Sequence, residues 1–246
     1  MKKFYLSILF AVFIFSILFF AASAYAEDNN SGDELFEDYA IQQNNETVSD
    51  PLYLFNYGMY QFNDKLYFWL IKPVTKGYKS TVPRIVRSDI KNFFYNLLFP
   101  VRFVNSILQG KFSGAGSELA IFVMNSSAGC LGFGQPAQKL FKLKNSEEDL
   151  GQTMGSYSIG EGFYIVLPVL GPFTLRDLTG YVGDFFLKPV NYVDPYELSL
   201  GITGFDKINR TSFKLGDYKT LKDSSIDPYA AIKNAYIQFR REKTKH

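Results

Sequence analysis

The chain of 246 residues contains one histidine, His246, and one cysteine, Cys130. With its only imidazole at the last position, it has no base for Ser-His-Asp or Cys-His nucleophilic chemistry and no set of histidines for zinc. A lipid hydrolase built on Ser156 or Ser158 would lack that base and also a G-x-S-x-G elbow. A single cysteine forms no intrachain disulfide, and its flanks, SSAGCLGFG, predict a buried and inert thiol among small residues. Neither GxxxxGK[ST] nor a strand-to-helix G-x-G-x-x-G occurs, so no nucleotide cofactor is expected. Glu147, Glu148 and Asp149 lack the Gly-punctuated oxygen ligands of a calcium loop and read as a wet loop or helix start. No catalytic residue, metal or cofactor is expected.

A basic excess is missing too. The 26 Lys and Arg face 24 Asp and Glu, and two of the basic residues, Lys2 and Lys3, precede an apolar run from Phe4 to Ala24. That run, with Ala24 and Ala26 before an acidic Asn-rich stretch, predicts a secretory signal over 1–26 cleaved after Ala26. Its length is near the roughly 20 residues that span a bilayer, so an uncleaved anchor is the alternative. Without the signal the chain is formally neutral, which argues against nucleic acid as a partner.

What the chain has in quantity is aromatic side chains, with 25 Phe and 17 Tyr. Such density suits a large core or an amphipathic boundary where one end of each ring stays wet. Residues 27–49 read as a flexible acidic leader, 50–240 as one helical body and 241–246 as a basic tail. Asp-Pro pairs at 50–51, 194–195 and 227–228 predict helix starts with Asp as cap and Pro at the first turn. In DPLYLFNYGMYQFNDKLYFWLIKP, Leu52, Phe55, Met59, Phe62, Leu66 and Trp69 share one face, with Tyr53, Tyr57, Tyr60 and Tyr67 beside it. Asn56 and Asn63, seven apart, share another face, and Pro73 is expected to end the helix. This helix reads either as an amphipathic core helix or as one lying at a membrane boundary with its asparagines toward something polar. A second helix is expected with Ser88 as cap, a restart or kink at Pro100 and a C-cap at Gly110, followed by a short apolar helix in SELAIFVMN. In the last helix, Ile232, Ala235, Tyr236 and Phe239 form one face, and Arg240, Arg241, Lys243 and Lys245 complement the dipole at its C-terminus.

The stretch GSYSIGEGFYIVLPVLGPFTLRD, residues 155–177, is apolar yet broken by Gly155, Gly160, Gly162, Pro168, Gly171 and Pro172. The glycines predict tight turns or close backbone approach, and the prolines prevent a continuous helix or central strand. Arg176 and Asp177 read as a structural ion pair or cap at the next helix start.

Taken in order, DPLYLFNYGMYQFND, NLLFPVRFVNSILQG, NSEEDLGQTMGSYSIGEGFYIVLPVLGPFTLRD and DPYAAIKNAYIQFR resemble the MlaA (VacJ) family of outer-membrane phospholipid-trafficking proteins. The likeness runs from Asp50 to Arg240. It implies a mainly α fold in which amphipathic helices form a compact ring-like domain with Gly/Pro-rich irregular segments. The ring would sit in the inner, periplasmic leaflet of the outer membrane, and misplaced phospholipid would cross its amphipathic conduit toward a soluble periplasmic carrier. A trimeric porin is the implied partner. Phe62 and Asn63 carry over from the family's second FN; with Phe55, Asn56, Gly155, Tyr157, Gly160 and Gly162 they are the expected conduit residues. Two features depart from the family pattern: Ala26-Glu27 replaces a lipobox cysteine, so no acyl anchor is expected, and GFGQPA at 132–137 replaces GG-x-D-x-A. The alternative function is a soluble periplasmic lipid-binding or scaffold protein docking on a membrane partner.

Overall fold

A computed structural model describes residues 48–245. The expected signal and nearly all of the leader lie outside the described residues. Helices dominate: α1 (Tyr53–Leu66), α2 (Lys72–Thr81), α3 (Arg84–Leu97), α4 (Phe99–Leu108), α5 (Phe112–Ser127), α6 (Pro136–Phe141) and α7 (Leu150–Ser156) precede a hairpin. The hairpin is β1 (Tyr164–Leu167) and β2 (Gly171–Thr174), and α8 (Leu175–Phe185), α9 (Tyr196–Thr211), α10 (Asp217–Asp223) and α11 (Pro228–Thr244) follow it.

Pro73 does not end the first helix. Tyr67–Ile71 form a π-helical turn in which the Lys72 N–H bonds the Tyr67 carbonyl five residues back, and α2 continues through the proline. The wider turn places Pro73 at a fresh first turn, where its missing N–H is tolerated. Ser88 is likewise no cap, because α3 begins four residues earlier, behind Pro83. The chain does restart at Pro100, in the first turn of α4, and Gly110 with φ +72° follows that helix as a left-handed terminator. Of the three Asp-Pro starts only Asp227 caps with its side chain, accepting from the Tyr229 and Ala230 N–H groups. The Asp50 carboxylate instead accepts from Asn56 Nδ2, the Tyr229 hydroxyl and Lys233 Nζ, joining α1 to α11.

Cys130 is exposed, contrary to the sequence expectation. Gly129 is the residue that packs, its Cα against the Asn125 and Gly134 carbonyls, while Cys130 and Leu131 take left-handed backbone and turn their side chains outward.

The largest apolar cluster lies where α1, β1 and α11 meet: Val48, Tyr60, Tyr164, Val166, Tyr229 and Ile237, with Met59, Ile232 and Tyr236 against it. The tyrosine stripe of α1 supplies it, for Tyr53, Tyr57 and Tyr60 surround the Tyr229 ring at 5.4–5.8 Å, all edge-on. Such contacts add about 0.5–1.5 kcal/mol each beyond area burial.

Among the described residues the polarity is inverted relative to an ordinary globule. Buried polar and charged residues outnumber buried apolar ones, and large apolar side chains stand outside, among them Trp69 at 81%, Ile85 at 75% and Phe112 at 72% exposure. Apolar surface on this scale marks contact with another apolar phase or partner. No helix among the described residues is long and apolar enough to cross a membrane.

Candidate functional site

The helices enclose two adjoining cavities that meet at Tyr95, Glu147 and Arg210. The smaller, about 510 Å³, is lined by apolar residues, Leu98, Val101, Pro172, Phe173, Tyr181 and Phe239, and by polar ones, Arg102, Glu148, Asp149, Asp177, Asp184 and Arg240. The larger, about 900 Å³, is bordered by Tyr67, Phe213 and Tyr218 and by the cations Arg84, Lys91, Arg210 and Lys214.

The polar wall of the smaller cavity is built from the sequence motifs. Asn105, wholly buried on α4, donates to Asp184 Oδ1 at 2.9 Å on α8 and accepts from the Thr153 hydroxyl at 2.8 Å on α7. Gln109, one turn on, donates to Glu148 and to Thr153. Thus VN..LQG and EDLGQT are two halves of one hydrogen-bond network. Their helices approach closely because Gly151 of α7 lies against Gly180 of α8 backbone to backbone; a Cβ on Gly151 would lie 2.7 Å from Arg240 Nη2 and 2.8 Å from Asp177 Oδ1.

Charge in this wall is paired. Arg240 from α11 reaches Asp149 through two bonds of 2.7 and 2.9 Å and Asp177 at 2.8 Å, and the Tyr236 hydroxyl donates to Asp177 Oδ2. Arg102 on α4 pairs with the buried Glu118 on α5 at 2.9 Å and lies 3.8 Å over the Tyr95 ring. Burial pushes the Asp149 carboxyl up, but the Arg240 guanidinium and the Gln152 N–H outweigh it and hold the group below the usual carboxylate range. Asp184 has no cation in ion-pair contact: burial raises its carboxyl despite the Leu150 N–H, the Asn105 amide and the nearby Lys188 ammonium. Burial in turn lowers Lys188, whose ammonium lies 4.1 Å over the Tyr181 ring.

None of the expected conduit residues lines either cavity. Asn56 has no accessible surface; its Nδ2 donates to the Tyr164 carbonyl and its Oδ1 accepts from the Val166 N–H. Asn63 repeats the arrangement with the Leu167 carbonyl and the Val169 N–H. Each carboxamide stands in for a neighbouring strand on the free edge of β1. The spacing explains itself: seven helical residues rise about 10.5 Å, and the three residues from Tyr164 to Leu167 span about 10 Å of strand. Phe55 is half-buried and Phe62 exposed. Gly155 lies against Thr244 and Arg176, Gly162, at φ +71°, lies against Leu175, and Gly160 meets nothing. Tyr157 is exposed and donates its hydroxyl to the Leu108 carbonyl. Arg176 and Asp177 are both buried with Nε 3.5 Å from Oδ1, yet the cap of α8 is Thr174 and the closer cation to Asp177 is Arg240.

What sequence reasoning passes over are the cavity residues Tyr95, Arg102, Asp184, Lys188 and Arg210, and Asn105, Gln109 and Glu118, which bond to lining residues from behind. The available signal was polar residues set inside apolar helical stretches, as Arg102 and Asn105 are in FPVRFVNSIL. The basic tail was also misjudged: α11 runs to Thr244, with Arg241 bonded to Glu161 and Lys243 to Glu147, so these cations tie the helix to the body.

Comparison with known proteins agrees with this architecture. Residues 48–243 match the family model described as MlaA lipoprotein. The "Intermembrane phospholipid transport system lipoprotein MlaA" of Escherichia coli is 35% identical over 193 residues, covering 77% of this chain and 76% of that protein. An uncharacterised protein of Rickettsia bellii is 28% identical over 200 residues, covering 81% of this chain and 78% of its own length. A solved structure described as "Structural basis for maintenance of bacterial outer membrane lipid asymmetry" superposes with a TM-score of 0.70 at 32% identity, over 80% of this chain and 99% of that one. The fold is accordingly the mainly helical, ring-like one, and the chain belongs to the MlaA lipoprotein family.

Proposed function

We propose that this protein moves phospholipid between membranes without covalent chemistry, taking lipid misplaced in the outer leaflet of the outer membrane through its cavities toward a periplasmic carrier. The observation that carries this reading is the inverted polarity: apolar side chains such as Trp69, Ile85 and Phe112 are exposed while charged and amide groups line two adjoining cavities. A lipid needs such a pair of surfaces, one to solvate its headgroup and one to accept its chains. The smaller cavity is lined both by Leu98, Val101 and Phe173 and by Asp149 and Asp184, so both parts of the molecule meet matching surface. Seating in the periplasmic leaflet, contact with a trimeric porin and hand-off to a soluble carrier belong to the same proposal and rest on the family resemblance; the name of the Escherichia coli relative supports intermembrane phospholipid transport.

Deleting the gene should raise outer-leaflet phospholipid and detergent sensitivity, and the full chain should restore both. A Leu98→Trp chain, which narrows the smaller cavity, should reach wild-type abundance yet restore neither. Unchanged outer-leaflet phospholipid in the deletion strain would overturn the reading.

A further inference from the structure

We infer that the larger cavity is a selective port for the phosphate headgroup of net-anionic phospholipids, and that Arg84, Lys91 and Lys214 make the selection. This rests on the passage reading and adds a substrate class to it. Four cations border this cavity against two carboxylates, Glu147 and Asp217. Glu147 is already bound to Lys243, and Arg210 to Asp206 through two bonds of 2.8 Å. Arg84, Lys91 and Lys214 are exposed, and none forms an ion pair among the described residues; Lys91 stands 5.6 Å from the Phe213 ring and near enough to Glu147 to favour its charged form. Elsewhere in the passage almost every arginine is tied to an acid, as Arg102 and Arg240 are. Here positive charge is in excess.

A free phosphate would need only the cations, whereas this rim also has apolar surface beside it. The rings of Tyr67, Phe213 and Tyr218 line the same cavity. An anionic headgroup held by the cations leaves its acyl chains next to these side chains. A zwitterionic lipid brings its own ammonium into the same field and gains less. Field lines converge in a cavity with an excess of one sign, which strengthens the discrimination.

The test uses the purified full chain in detergent with short-chain lipids and native mass spectrometry. Phosphatidylglycerol should be retained about tenfold over phosphatidylcholine at low ionic strength, and the ratio should fall severalfold at 0.5 M salt (about a 4 Å screening length). The triple variant Arg84→Gln, Lys91→Gln, Lys214→Gln should bind phosphatidylcholine as before and lose the preference. Equal retention of the two lipids by the wild-type chain would overturn the selection while leaving the passage reading intact. Failure to retain either lipid would instead count against the passage. Inorganic phosphate or glycerol phosphate at millimolar concentration should not displace the lipid; full displacement would assign the cations to a free phosphate ester and overturn the proposal.

Discussion

The two cavities share Tyr95, Glu147 and Arg210 but hold their charges differently. In the smaller one nearly every ionic group is spoken for by a partner from another helix: Arg240 by Asp149 and Asp177, Arg102 by Glu118, and Asp184 by Asn105 and the Leu150 N–H. In the larger one Arg84, Lys91 and Lys214 line the cavity without an ion-pair partner among the described residues. The first arrangement gives a wall of settled shape, because a buried charge that moved would lose its partner and its solvation together. The second gives a surface whose charge is available to something that enters. Paired charges therefore mark the frame of the passage, and unpaired ones mark where a ligand can be read.

The sharpest way to break this contrast is to unpair the frame. Glu118→Ala leaves Arg102 buried beside Tyr95 and also removes the acceptor of the Ser146 N–H. It should destabilise the protein by about 3–5 kcal/mol in denaturant melts. Arg240→Ala should come next, at about 3 kcal/mol, since it leaves Asp149 and Asp177 facing each other without their common cation. That variant also has a pH signature. Asp149 is held below its ordinary 3.8 in the folded protein, so its contribution is present above that value and disappears as pH falls through the lowered one. Removing Arg240 should shift the start of acid unfolding to higher pH, followed by circular dichroism.

Smaller effects test the support beneath the frame. The hairpin lends Pro172 and Phe173 to the apolar wall, and a two-stranded sheet is marginal on its own. Asn56→Ala should cost about 2 kcal/mol and Asn63→Ala about 1, because the first strands buried backbone groups and the second strands groups that water reaches. Hydrogen exchange at Val166 and Val169 would distinguish them. At the bottom of the scale, Lys91→Ala and Lys214→Ala should change stability by less than about 0.5 kcal/mol. A larger loss would mean that these cations have structural partners, and the contrast between the cavities would fail.

Much of the helical framework was legible beforehand. The three-four spacing in α1, the restart at Pro100, the turn at Gly110 and the broken character of 155–177 are local properties, governed by side-chain volume and by the φ that Gly and Pro allow. Even the seven-residue interval between Asn56 and Asn63 was visible, although not what it served. The failures share a cause. Pro73 was read as a stop because a π turn depends on packing around Tyr67, whose ring lies 4.7 Å from that of Tyr218, far along the chain. Cys130 was read as buried because small neighbours suggest close packing without saying which residue turns inward.

By itself the sequence determined that the chain would be helical, free of histidine and disulfide chemistry, and marked by motifs of one family; each of these follows from residue type and spacing along one segment. Only the tertiary structure decided which polar residues face a cavity and which charges are neutralised. Periodicity defines the faces of a helix but not the neighbour each face meets, and the acid that receives Arg240 lies 91 residues away. Whether a cation builds the wall or remains open to a ligand depends on such distant partners.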